Sequence, residues 1–296
     1  LIFNKKNWRK KKMNRKIVGI FVSTLLFASL AIPISAQMIE NEQPTIPISK
    51  DADVPTWNLG DSWTYEMYYM QNGDLNESYS FEVICDITYE VVDDSGDTYK
   101  LEGTAADLDF SLFIGDKVLK PTRFISIGTE MELKKSDLSL VKWNQYAKGI
   151  FLPRLGPIPL PIPIQVHAES TTTFGPSWNL MPFPLYDGKS GDIGPIDFTD
   201  SGKTTLYWGL IKIYEGENTW GFSKLDYTCN EEQVTVPAGT FSSYNVSAIH
   251  YDYDWFFTNY AKEVGNSVKQ LIHIEFSNHV TYYHMELELK STNYEP

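Results

Sequence analysis

The sequence predicts an all-β protein made of curved antiparallel sheets, either a half-barrel or two related sheet units, with at most short helices. Three observations predict this. Apolar and polar residues alternate with period two through most of the chain beyond residue 55, the pattern of half-buried strands. Turn sequences fall between the alternating runs, as in "DDSGD" (93–97), "VPAGT" (236–240) and "SNH" (277–279). No stretch carries a helical period for more than a turn or two, the best candidate being "TNYAKEVG" (258–265).

Taken from the start, the first methionine is Met13, preceded by a basic lead of Lys5, Lys6, Arg9, Lys10, Lys11 and Lys12. A basic head, an apolar run from Ile17 to about Leu30, and small residues at Ser35 and Ala36 then follow. This is the pattern of a secretory signal cleaved after Ala36, with residues 1–12 as upstream sequence. The alternative is a retained anchor helix, because the apolar run approaches bilayer-spanning length. Both place the remainder outside the cytoplasm, either secreted or held at the extracytoplasmic face. No cysteine follows the apolar run, which argues against a bacterial-type lipid anchor. Residues 1–36 carry eight basic and no acidic groups, so their removal moves the net charge from −13 to −21. A surface of that sign repels nucleic acid and anionic lipid heads, which argues against polyanion binding.

Residues 37–54 are polar, acidic and proline-bearing, and are expected to form a tether. An N-terminal β unit is expected over 55–155, with strands at 62–70, 80–92, 98–105 and 108–115. In the next segment, 156–185, Pro157, Pro159, Pro161 and Pro163 alternate with Ile158, Leu160, Ile162 and Ile164. Alternate prolines strip N–H donors from one edge of a strand only, so this segment reads as a protected edge strand or crossover. A second β unit is expected over 186–296, with strands at 204–214, 244–257, 268–276 and 280–290.

In "SYSFEVICDITYEV" the alternation puts Cys85 on one face with Val83 and Ile87, and "KLDYTC" puts Cys229 with Leu225 and Tyr227. Both thiols therefore point to apolar faces. Outside the cytoplasm they are expected to pair as one buried disulfide, worth about 5 kcal/mol on the chain-entropy account. The alternative is two buried thiols acting as small apolar groups. Four residues are expected to hold turns: Gly60, Pro237, Gly239 and Gly265.

Two stretches resemble a loose group of secreted and surface β proteins of unknown function. "WNLGDSWTY" (57–65) is similar to the group's Gly-turn and Trp-Thr-Tyr opening, and "VTVPAGTFSSYNV" (234–246) to its Ala-Gly-Thr-Phe hairpin. "WFFTNYAKEVGNSVK" (255–269) resembles its aromatic segment, Val-Gly turn and Val-Lys strand, and "LELKSTNY" (287–294) its closing strand. The likeness covers about a third of the chain beyond the leader, at its two ends, and is distantly like the half-barrels of lipoprotein carriers. It implies a curved antiparallel sheet and an apolar ligand. It implies no reaction and no catalytic residues.

The candidate chemistry lies near the C-terminus. His273 and Glu275 share one face of "LIHIEF", while His284 and Glu286 share one face of "YYHMELELK". A hairpin through "SNH" would set His273 across from His284, with carboxylates beside both, a ligand set suited to zinc. The wet face of an ordinary half-buried sheet carries the same pattern. The aspartates of "DGKSGDIGPIDFTD" suggest surface calcium, but their spacing matches no EF-hand. There is no G-x-S-x-G and no legible pair of catalytic carboxylates. Of the tryptophans, Trp57, Trp63, Trp143, Trp178, Trp208, Trp220 and Trp255 lie beyond the tether and are expected in the core or in a ligand cleft. Asn76 and Asn245 stand in glycosylation sequons.

Three readings of function follow. The first is a secreted or surface-tethered, non-catalytic β protein with a binding or cell-envelope role, holding an apolar or lipid-like ligand and needing no cofactor. The second is an extracellular metal-dependent hydrolase using the His/Glu face. The third is an adhesive module without a small ligand.

Overall fold

The computed structural model describes residues 51–296, apart from 75–77, 115–116, 120–122, 152–153, 156–157, 160–163, 180, 195, 209–210, 215–219, 223–224, 251–253 and 276–281. The expected leader, most of the tether, Asn76 and the "SNH" turn lie outside the described residues.

In chain order the strands are β1 (Ser62–Asp74), β2 (Ser78–Asp93), β3 (Thr98–Ile114), β4 (Lys117–Leu119), β5 (Arg123–Lys134) and β6 (Leu140–Phe151). Then come β7 (Arg154–Leu155), β8 (Ile158–Pro159), β9 (Ile164–Trp178), β10 (Lys189–Ile193), β11 (Ile196–Trp208) and β12 (Ile211–Tyr214). The last are β13 (Trp220–Phe222), β14 (Leu225–Val236), β15 (Gly239–His250), β16 (Asp254–Ala261), β17 (Asn266–Glu275) and β18 (Tyr282–Thr292). The protein is all-β, and its main sheet is antiparallel, curved and unclosed. The sheet runs β10-β14-β15-β16-β17-β18-β1-β2-β3-β5-β6-β9-β11-β12, so β18 pairs with β1 and joins the C-terminal strands to the N-terminal ones. One sheet therefore runs through both expected units.

Alternation sorts the side chains as the sequence indicates. Trp63, Tyr65, Met67 and Tyr69 of β1 are buried, as are Val83, Cys85, Ile87 and Tyr89 of β2 and Met285, Leu287 and Leu289 of β18. Expected strands 98–105 and 108–115 are one strand, β3, which carries a bulge opposite Cys85 where Asp107 adopts a φ of 51°. The expected helix at 258–265 is instead the end of β16 and a four-residue turn into β17. Its residues alternate, with Thr258 and Tyr260 on the apolar face, and the adjoining β17 supplies the backbone partners.

Most of the proline segment lies outside the described residues. Among the described residues, Ile158–Pro159 pairs with Arg154–Leu155 in a separate two-stranded ladder, and residues 156–157 and 160–163 lie outside the description. Ile164 opens β9, which is bonded to β6 on one side and β11 on the other and so is interior to the sheet. The short, largely exposed β10 holds one edge. The tether's end is also docked: Ala52 is fully buried and exchanges two backbone hydrogen bonds with Leu185, at 2.7 and 2.8 Å.

The curvature brings distant strands together over the apolar face. At the tip of the β14–β15 hairpin, Ala238 N–H donates to the carbonyl of Leu289 in β18, a strand that is not a sheet neighbour. Trp178 and residues 181–185 lie across the same face: Trp178 meets Phe256 edge-on, Phe183 meets Tyr260 edge-on, and Leu185 is fully buried.

Both cysteines are buried free thiols in this structure, so the expected bridge is absent from it. In the sheet order, the strands bearing them, β2 and β14, are separated by β15 to β18 and β1. Burial pushes Cys85 up to about 12, with Asp86 adding to it, and burial pushes Cys229 up to about 11. The thiolate is the reactive form, so both should resist a soluble thiol reagent at pH 8 in the native protein. After unfolding without reductant, two thiols per chain should be labelled; none would reveal a bridge.

Candidate functional site

The site is built on two neighbouring strands, β17 and β18, with β1 alongside. The register sets His273 directly across from His284, the arrangement the alternation predicts. In β18 the apolar residues Met285 and Leu287 turn inward, which leaves His284, Glu286 and Glu288 on the opposite face. Beside them on β1, Met70 lies opposite His284 and Tyr68 opposite Glu286.

The two imidazoles meet through their Nδ1 atoms, 3.4 Å apart, with the rings tilted by 66°. His284 Nε2 faces Glu286 Oε1 at 3.2 Å. The Tyr68 ring stands edge-on to His284 at 6.2 Å, and its hydroxyl donates to Met70 Sδ at 3.5 Å. One turn of the pleat away, Lys269 and Glu288 form an ion pair at 2.8 Å. The hydrogen bond from His284, with the nearby Lys269 ammonium, holds the Glu286 carboxyl below the usual carboxylate range.

Glu286 engages the nitrogen of His284 remote from His273, so it is not positioned as a third ligand between the rings. Glu275 lies opposite Tyr282 in the register, and its side chain is outside the description. Among the described residues, no group of three His, Cys, Asp or Glu side chains gathers at metal-binding distances.

The four turn residues sit as the sequence indicates. Gly60 has a φ of 91° in the turn before β1, and Pro237 with Ala238 forms the two-residue loop that ends at Gly239, φ 141°. Gly265, φ 63°, closes the β16–β17 turn. What sequence reasoning missed is the use made of that last turn. Trp57 Nε1 donates to Gly265 O, Trp63 Nε1 to Val264 O, and Tyr65 OH to Ser267 O, each at 2.8 Å. The Trp-bearing opening and the Val-Gly turn thus bind each other directly, although about 200 residues separate them. Backbone carbonyls carry no residue identity, so nothing in the sequence names them as acceptors.

Asn245 lies mid-strand in β15, nearly buried, with its amide donating to Glu232 Oε1 at 2.8 Å. Asn259 donates to the same oxygen, and Ser247 donates to Asn245 Oδ1 at 2.8 Å. A sugar on Asn245 would have to displace this network, so the sequon acts structurally in the folded protein. Of the calcium candidates, Asp187 Oδ1 accepts the Glu231 N–H at 3.0 Å, and Asp192 lies opposite Asp226 in the edge pairing.

On the apolar face a second group of residues stands out. Thr129, Gln145 and Ser170 form a buried polar row across β5, β6 and β9. Beside it Ile127 and Ala147 form a small apolar cluster, with Ala105 and Leu108 packed against them. Gln145 is almost completely buried, and its Nε2 finds no acceptor among the described residues.

Comparison with known proteins adds nothing to this geometry. No family profile matches the chain. No curated protein matches it, and no solved structure does.

Proposed function

We propose that this chain is an exported, non-catalytic β protein with a binding role in or near the cell envelope, and that its concave face takes an apolar, lipid-like ligand carrying a hydrogen-bond acceptor. The observation that carries the reading is Gln145 Nε2, a buried donor without an acceptor among the described residues, beside the Ile127–Ala147 cluster. A buried amide donor left unpaired costs about 1–3 kcal/mol, and a ligand carbonyl or ester oxygen would remove that cost. An open, curved sheet suits such a ligand better than a closed barrel, because the concave face is reached from its ends. Trp178 and Phe183 already cover the β16 part of this face, so the ligand lies toward β3, β5 and β6. The basic and apolar N-terminal pattern supports export, and the resemblance of the Trp-Thr-Tyr opening to secreted β proteins supports it too.

Native mass spectrometry of the chain, expressed to an oxidising compartment with its own leader, tests the reading. A co-purifying adduct of lipid mass is expected, reduced in occupancy in Gln145→Leu. A bare polypeptide mass in preparations exposed to membrane lipid would overturn the ligand, leaving an adhesive or structural protein.

A further inference from the structure

We propose that His273 and His284 form a site for a zinc-class divalent ion, with both Nδ1 atoms as ligands and Glu286 as the group that orients His284. The inference stands apart from the lipid reading, because the imidazole pair lies on the outer face of β18, away from the Gln145 row.

Three observations carry it. The first is the separation. At zinc–nitrogen bonds of about 2.0–2.1 Å, two ligands at tetrahedral corners lie about 3.3–3.4 Å apart. The two Nδ1 atoms are 3.4 Å apart. That is longer than the roughly 2.7–3.2 Å usual for a hydrogen bond between a nitrogen donor and its acceptor. The distance therefore fits a shared ion better than a direct bond between the rings.

The second is the tautomer. Glu286 accepts from His284 Nε2, so the proton sits on that nitrogen and the Nδ1 lone pair is free to face His273. A carboxylate behind a ligating imidazole is the usual way in which a metal ligand's ring is fixed and made more basic.

The third is the mounting. The two histidines are a directly opposed pair on adjacent antiparallel strands, and each strand is held by further sheet neighbours, β16 beside β17 and β1 beside β18. The ligands are thus preset, and binding requires no segment to fold. Two protein nitrogens leave the other positions of a tetrahedral ion to water or to an incoming anion. Such an open position is characteristic of exchangeable or partner-completed zinc sites rather than closed structural ones.

The test is calorimetric titration of the full chain with zinc chloride, repeated with cobalt, whose visible spectrum reports tetrahedral nitrogen ligation. One equivalent is expected in the wild type, lost in His273→Ala and in His284→Ala, and kept in the control His167→Ala. Glu286→Gln should weaken binding about 10–100-fold, with the His284 proton no longer confined to Nε2 in imidazole nitrogen spectra. Unaltered far-ultraviolet circular dichroism establishes that the variants are folded. No zinc bound by the wild type, or undiminished binding in the two histidine variants, overturns the site. Full affinity with an unmoved His284 proton in Glu286→Gln overturns the role given to Glu286.

Discussion

Trp63→Ala should destabilise the protein by about 5 kcal/mol, enough to leave much of the chain unfolded at ambient temperature. Trp63 is fully buried, its ring packs at 5.0 Å from Trp57 and 6.0 Å from Tyr294, and its Nε1 holds the Val264 carbonyl. Truncation to alanine removes the largest side chain of the core and leaves a cavity, which costs about 3–5 kcal/mol for a tryptophan. It also strands a carbonyl in a dry site, at about 1–3 kcal/mol. Trp63→Phe separates the two contributions, because it keeps most of the ring volume and removes the donor. Denaturation by guanidinium chloride, followed by circular dichroism, should show the phenylalanine variant losing about a third of what the alanine variant loses. If Trp63→Phe is neutral, the hydrogen bond to Val264 contributes nothing and the clamp is packing alone.

How legible this was follows from what alternation can and cannot encode. The faces of β1, β2 and β18 were readable because their inward residues are large and apolar, from Trp63 and Ile87 to Leu287. The same rule, with a hairpin between the two strands, sets His273 opposite His284. It failed for β9, "IQVHAESTTTFGPSW", because Ser170 and Thr172 are the buried residues there. A strand whose inner face is hydroxylic carries no hydrophobic period, so nothing marked it as interior. β6 was silent for a related reason: its inward row runs Trp143, Gln145, Ala147, and only the first is a strong signal. Of the proline run only Ile158–Pro159 and Ile164 fall among the described residues, and Ile164 opens the interior strand β9.

The candidate site divides in the same way. Parity placed Glu286 on the face of His284, but it cannot state which ring nitrogen the carboxylate meets. That depends on side-chain rotamers, and it changes Glu286 from a ligand to an orienting group. The Asn245 sequon was visible as three letters, while its burial and its bond to Glu232 across the β14–β15 hairpin depend on side-chain rotamers that the letters do not encode. Local pattern gives faces and turns. Chemistry made by backbone carbonyls and rotamers appears only when the sheet curves.

Gly265→Ala should cost about 2–3 kcal/mol, and the reason lies in two separable effects. The residue has a φ of 63°, where an alanine is strained by about 1 kcal/mol relative to glycine. A Cβ there would run into the Tyr294 ring, so the ring must swing away from Trp63. The ring is at the far end of a side chain near the C-terminus and can move, so the loss is limited to its packing. A double-mutant cycle measures the division. In a Tyr294→Ala background the same Gly265→Ala change should cost only about 1 kcal/mol, the backbone strain alone. Equal costs in both backgrounds would mean that the tyrosine yields freely and that the turn conformation is the whole effect. A cost below 0.5 kcal/mol in the wild-type background, by the roughly 0.5 kcal/mol limit on such comparisons, would mean that the turn does not hold the positive φ on which the Trp57–Gly265 hydrogen bond depends.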